Sequence, residues 1–178
     1  MKKFELISEF VTNVFGKKLF RIKALVSFGD VSAGELGGFV EKEENLSNNG
    51  NAWVSGNARV SGNAWVSGNA RVSGDARVSG DALVSGNARV SGNAQVSGDA
   101  DFSVVTGFGR CFRATTFFRC KDKILRVQCG CFYGDLAKFR EIVKKTHGDS
   151  KYAKEYLAIA DLMELHFSDE EENQEADK

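Results

Sequence analysis

The chain has no proline, two histidines, two methionines and two tryptophans among its 178 residues. Each shortage excludes something. Without proline, tight corners cannot rely on a fixed negative φ, and the 19 glycines are left to make them through positive φ. No apolar run is long enough to span a bilayer, and the opening MKKFELISEF lacks the apolar core of a signal peptide. A cytoplasmic setting and no membrane partner are expected. Four cysteines in that setting read as free thiols rather than disulfides. Formal charge is zero, with 24 basic and 24 acidic side chains, but the spread is uneven. Six acids against one lysine lie from Ser168 to Lys178, leaving residues 1–167 with 23 basic and 18 acidic groups. So mild an excess suits a small anion. It does not make the long basic groove with spaced aromatics that a single-stranded nucleic acid requires, and nucleic acid is not an expected partner.

What is present is a six-residue beat, VSGNAR VSGNAW, running from about Asn51 to Asp101. Valine recurs at Val54, Val60, Val66, Val72, Val78, Val84, Val90 and Val96, and Phe102 takes the next slot. Alanine stands two places before each valine and glycine two places after. A period of six matches neither a helix nor a run of hairpins. It fits a solenoid, in which each unit buries its apolar side only by stacking on its neighbours. Valine fills the interior, alanine the cramped inner corner, and Gly-Asn or Gly-Asp the bend. Three hexapeptides per coil put residues eighteen apart one strand spacing apart, about 4.8 Å. The residue before each valine then points outward, in three columns: Trp53, Arg71, Arg89; Arg59, Arg77, Gln95; and Trp65, Leu83, Asp101. The first column predicts a cation–π step between Trp53 and Arg71. The third carries the only apolar outer strip, and Trp65 and Leu83 are the expected oligomer interface.

Around the repeat, Phe4–Val14 and Leu19–Leu25 read as a hairpin, and Phe39, Val40 and Leu46 can seed a first irregular turn. After Phe102 the beat stops. Cys111–Cys120 and Ile124–Tyr133 read as two strands joined by the Lys121-Asp122-Lys123 turn. Asp135 is the expected N-cap of a helix whose face carries Leu136, Phe139, Ile142 and Val143 and which stops at Gly148. A second helix, capped by Asp149 or Ser150, should run from about Lys151 to Phe167 with Tyr152, Tyr156, Ile159, Met163 and Phe167 in its stripe. The expected organisation is a β cap over 1–38, a β-helix over 39–104, a small α+β domain over 105–167, and an acidic tail over 168–178 that has nothing to pack and should be disordered.

The repeat, the lead-in LGGFVEKEENLS and the closing CGCFYGDLAKFREIVKKTHGDSKYAKEYLAIADL together resemble one family. These are hexapeptide-repeat proteins, frequent in bacteriophages and prophages and often labelled transferases. The resemblance covers nearly the whole chain. It implies a mainly β protein built on a left-handed parallel β-helix, commonly assembled as a homotrimer, and it carries no agreed activity.

Three chemistries compete. Acyltransferases of this architecture, as the resemblance implies, use a coil histidine as general base. Here the repeat has neither histidine nor inserted loop, and His147 and His166 both fall on predicted helices, where a helix-end or structural role is the simpler reading. No catalytic residue is assigned, and acyl transfer stays as an alternative. Cys129 and Cys131, with Cys111 and Cys120, lack the paired C-x-x-C knuckles of a zinc ribbon, so no metal and no cofactor are expected. The third chemistry is binding. Arg113, Thr115, Thr116, Phe117, Arg119 and Arg126 collect basic groups and hydroxyls beside aromatics, a combination that can grip a phosphate and stack a ring. The same strands also read as a phenylalanine core with a solvated basic face. The function expected is non-enzymatic binding of a small, nucleotide-like anion by an oligomer, in a host cytoplasm if the source is viral, such as sequestration of a host immune nucleotide signal. A purely structural or assembly scaffold is the other alternative.

Overall fold

The structure, a computed structural model, describes residues 2–98 and 101–168. Its centre is a parallel β-solenoid made of two-residue strands, one per hexapeptide. These are β4 (Trp53–Val54), β5 (Arg59–Val60), β6 (Trp65–Val66), β7 (Arg71–Val72), β8 (Arg77–Val78), β9 (Leu83–Val84), β10 (Arg89–Val90) and β11 (Gln95–Val96). They stack as predicted, eighteen residues per coil: Arg59 on Arg77, Val60 on Val78, Trp65 on Leu83. Inter-coil hydrogen bonds such as Arg59 N–H to the Ala76 carbonyl, at 2.9 Å, tie each rung to the next. The repeat valines and alanines are essentially inaccessible to solvent. At the corners, asparagine amides donate to the residue one coil on, as from Asn51 to Asn69 and from Asn69 to Asn87, both 3.1 Å. These polar ladders run parallel to the valine stack.

Before the repeat, a hairpin of β1 (Phe4–Thr12) and β2 (Lys18–Ala24) pairs antiparallel and hands on to β3 (Leu36–Val40). Strand β3 already belongs to the coil, because it pairs in parallel with β5. Val40 faces Val60 and Leu46 faces Val66, a spacing of twenty. The extra residues fall at Asn48 and Asn49, just before the beat becomes regular. Trp53 departs from the outward reading. It is only 2 % exposed, covered by the cap, with the Phe28 ring edge-on at 5.5 Å. Arg71 beneath it turns to Asp30 instead of the indole. The columns are correct in register, but their first member is interior because the chain folds back over it.

At the other end Asp101 does not extend the third column. Its carboxylate accepts from the Ser97 hydroxyl (2.6 Å), the Ser97 amide (2.8 Å) and the Gly98 amide (3.2 Å), closing a turn. The chain then forms an antiparallel sheet of β12 (Phe102–Val105), β13 (Thr115–Arg119), β14 (Leu125–Cys129) and β15 (Phe132–Asp135). The expected Cys111–Cys120 strand is thus shorter, its first residues forming a loop. The expected Ile124–Tyr133 strand is a hairpin, broken at Gly130 and Cys131. Helices α1 (Leu136–His147) and α2 (Lys151–Phe167) match their predicted caps: Asp135 accepts from Lys138 N–H, and Ser150 from Ala153 N–H. Tyr152 is exposed, whereas the rest of its stripe is buried. The predicted disordered tail lies, from residue 169 on, outside the described residues.

Alternation splits the C-terminal sheet between two jobs. Phe118 and Cys120 join the end of the solenoid core. The neighbouring Thr116 hydroxyl accepts from Arg89 N–H at 3.0 Å, and the Ser91 hydroxyl donates to Gln128 at 3.1 Å. Phe117 and Val127 face the other way, under Leu136, Phe139, Val143 and Tyr156 of the helices. The sheet is therefore a plug for the last coil and a platform for the helices.

Two measurements test this packing. Gly80 and Gly86 share a positive φ, 62° and 64°. A Cβ at Gly80 would collide with the Ser97 carbonyl, whereas nothing lies within 4 Å of one at Gly86. Gly86→Ala should therefore show only the left-handed penalty, about 1–2 kcal/mol, and Gly80→Ala roughly 1–3 kcal/mol more from overpacking. Equal urea midpoints would deny the close approach of the coils.

The second concerns Lys3, whose ammonium is buried against the Ala52 and Gly50 carbonyls (2.9 and 3.4 Å) and the Phe28 ring (4.7 Å). Burial, and then the charge of Arg71, lowers its pKa from 10.5 to about 8. Between those values the unfolded chain holds a proton that the native one has released, so stability due to Lys3 rises with pH across the window. Stability of the native chain relative to Lys3→Met should increase from pH 8 to 10.5, and parallel profiles would contradict the burial.

Candidate functional site

The loop between β12 and β13 makes a cleft that neither the repeat nor the helices could form alone. Gly107, Gly109 and Phe112 all take positive φ there. Gly109 is pinned to α2: its N–H donates to Glu155 Oε2 at 2.8 Å, and a Cβ on it would strike the Tyr156 hydroxyl. This contact holds the loop away from the sheet and leaves a hollow of about 330 Å³. Phe132, Phe139, Tyr156 and His147 line it. Phe139 meets Phe132 at 5.5 Å and Tyr156 edge-on at 5.8 Å, while the His147 and Tyr156 rings lie 31° from parallel at 5.8 Å. Such a wall offers ring faces and edges to a planar group.

Arg110 and Arg113 stand at the rim of this hollow, with Cys111 between them in sequence. Arg113 is laid over the β14–β15 turn, its guanidinium against Gly130. From there it also borders a second, shallower hollow of about 710 Å³, which it shares with Arg89 of the solenoid, Asn87 and Cys131. Arg113 thus divides an aromatic hollow from a basic one. Burial, with the Cys129 thiol beside it, pushes the Tyr156 hydroxyl up to about 12. At neutral pH it is a hydrogen-bond donor and cannot serve as a base.

Of the six residues expected to bind a ligand, only Arg113 reaches this cleft. Thr115, Thr116 and Phe117 are buried inside the sheet. The Thr115 hydroxyl donates to the Cys129 sulfur at 3.2 Å, Thr116 is bonded to Arg89 N–H, and Phe117 packs beneath the helices. Arg119 donates to the Phe167 carbonyl at 2.8 Å and lies over its ring, so it fastens the end of α2. Arg126 pairs with Asp122 at 2.7 Å, on the sheet face turned to the solenoid. Thr115, Thr116 and Phe117 have no free surface to give, while Arg119 and Arg126 are half-buried beside the partners just named. The alternative reading of these strands, as a phenylalanine core, describes them better. Trp65 and Leu83 do stay accessible, at 46 % and 42 %.

Sequence reasoning missed Arg89, His147 and Tyr156 as site residues. Tyr156 fell in an apolar helix stripe and His147 at a helix end, and both descriptions hold. The available signal was the Gly-Phe-Gly-Arg run at 107–110, whose glycines mark a loop held in unusual geometry. Among the described residues, no group of three or more histidines, cysteines, aspartates or glutamates stands close enough to hold a metal ion. The four cysteines are unpaired.

A family profile described as the YdcK beta solenoid repeat matches residues 52–68, 64–80, 70–86, 76–92 and 82–98. The chain is a β-solenoid repeat protein through its central coils, and the matched residues stop short of the cleft loop. A search of curated proteins finds no match. Among the described residues, no helix is long and apolar enough to cross a membrane.

The loop contact can be read from tyrosine ionisation. In alkaline absorbance titration, the native chain should show one tyrosine ionising near pH 12, lost in Tyr156→Phe. In Gly109→Ala the loop cannot stay seated, and that ionisation should fall toward 10, the ordinary value. A late ionisation unchanged in Gly109→Ala would mean that the loop does not bury Tyr156.

Proposed function

We propose that this chain is a non-enzymatic, oligomeric binding protein that holds a small nucleotide-like anion in the C-terminal cleft. The position of Arg113 between the two hollows carries the reading. A planar ring enters among Phe132, Phe139, His147 and Tyr156, and phosphate oxygens meet the guanidiniums of Arg113, Arg110 and Arg89. Arginine forks match phosphate geometry in bidentate fashion, and the aromatic wall supplies orientation. Binding without turnover is favoured by the absence of histidine from the repeat. The exposed Trp65–Leu83 strip supports self-association, with a homotrimer as the form the family resemblance favours. The phage-type resemblance gives this activity a purpose: removing a host nucleotide signal from the cytoplasm without destroying it.

Calorimetry with AMP and ATP as probes, followed by chromatography of the recovered nucleotide, tests the reading. Arg113→Gln should weaken binding roughly 10- to 100-fold, the loss of one charge-assisted hydrogen-bonded pair. The recovered nucleotide should be unchanged. Equal affinity in Arg113→Gln would remove the cleft from the function, and conversion of the probe, or consumption of acetyl-CoA, would make the protein an enzyme. Native mass spectrometry should show a trimer that Trp65→Asp dissociates. An unaltered mass in that variant would place the subunit contact elsewhere.

A further inference from the structure

The second column of the solenoid has a groove of its own, remote in sequence from the cleft loop. Its floor is the row Arg59, Arg77 and Gln95, stacked in parallel register on β5, β8 and β11. Its overhang is the tip of the β1–β2 hairpin, with Val14 and Phe15 at 83 % and 85 % exposure. The enclosed space is about 260 Å³. The tip is not a loose loop. The Asn13 side chain accepts from Phe15 N–H at 3.0 Å and Lys17 N–H at 2.9 Å, and Lys17 is tied to Glu41 at 2.8 Å. An exposed phenylalanine is therefore held in place above two arginines.

Among the described residues, the charge of the two arginines in this groove is uncompensated. Two strands up the same face, beyond Phe39, Arg21 has Glu9 at 2.9 Å and the Phe39 ring at 5.0 Å. In the neighbouring column Arg71 has Asp30. Arg59 and Arg77 have no carboxylate within ion-pair distance among the described residues. Two acids bonded near its lining are already engaged, Asp101 by Ser97 and Gly98 and Glu41 by Gly62 N–H and Lys17. Two arginines on strands one spacing apart, about 4.8 Å between backbones, carry like charges that an anion between them would offset. Their forks, with the Ser61 and Ser79 hydroxyls on the next corner, present donors to two adjacent anionic groups.

We propose that this groove is a second binding site, separate from the C-terminal cleft, for an organic diphosphate. The two phosphates lie along the column against Arg59 and Arg77, and the group they carry lies against Phe15 and Val14. A single phosphate can bridge the two forks through separate oxygens, but a diphosphate gives each guanidinium its own bidentate pair of oxygens. A bare diphosphate would satisfy the arginines but leave the apolar tip uncovered. Both halves of the groove are used only when the diphosphate carries an apolar or aromatic group.

The test uses the full chain with inorganic phosphate, inorganic pyrophosphate and geranyl diphosphate as probes, titrated by calorimetry. Pyrophosphate should bind at least 10-fold more tightly than phosphate, and geranyl diphosphate at least 10-fold more tightly than pyrophosphate. Arg59→Gln and Arg77→Gln should each weaken both diphosphates by 10-fold or more. Phe15→Ser should abolish only the advantage of the geranyl group. Phe15 and Arg77 are exposed and Arg59 is half-buried, and unchanged circular dichroism melting will show that the variants fold. Arg113→Gln should leave this binding intact, which separates failure here from failure of the cleft. Binding that is absent at millimolar concentration, or indifferent to both arginine substitutions, overturns the site. Equal affinity for pyrophosphate and geranyl diphosphate overturns the role of the hairpin tip.

Discussion

Everything in this molecule depends on one repeated contact: a valine lying on another valine eighteen residues away, with backbone hydrogen bonds on either side. Each buried valine contributes on the order of 1.5–3 kcal/mol before entropy is subtracted. No coil can form alone, since its inner face becomes dry only when another coil covers it. That dependence creates a problem at both ends, where open valines and unpaired peptide groups would meet water or another chain. The two ends solve it differently. At the start, β3 is at once the last strand of the cap and the first of the coil, so cap and solenoid share one sheet. At the finish, Phe118 and Cys120 close the core while Thr116 and Gln128 take up polar groups of the last coil.

The register, the columns and the helices were legible because each rests on a short period. Valine every six residues sets the winding, and apolar residues every three or four set the helix faces. Helix caps were legible because Asp135 and Ser150 act on amides three residues away. What was not legible came from segments far apart in sequence. Nothing around Trp53 reveals that Phe28 will cover it, so an outward position became an interior one. The β13 strand looked like a binding surface because basic and aromatic residues alternate along it. That pattern is equally what a strand needs when one neighbour is a solenoid and the other a pair of helices, and Thr115–Phe118 are buried from both sides.

The distinction between repeating and non-repeating positions bears on where function can sit. A side chain inside the repeat is copied in kind by its vertical neighbours, so a coil face offers columns of like groups one strand spacing apart. A cleft for an asymmetric ligand needs unlike groups converging from different directions. The chain obtains such convergence where the beat stops, through a loop whose glycines reach angles that the coil corners also use, and again where the β1–β2 hairpin tip overhangs the second column. Gly109 against Tyr156 is the point at which that loop is held.

Arg113 and Arg89 show how the two kinds of surface meet. Arg89 is fixed by the column, its amide bonded to Thr116 of the plug, so its place follows from the winding. Arg113 comes from the loop and lies over the Gly130 turn, so its place follows from the plug's hairpin. Neither depends on the other in sequence, yet the same sheet that seals the valine stack positions both. Sealing the core and forming the cleft are therefore one event: a chain whose plug failed to dock would lose the end of its solenoid and the convergence of its arginines together.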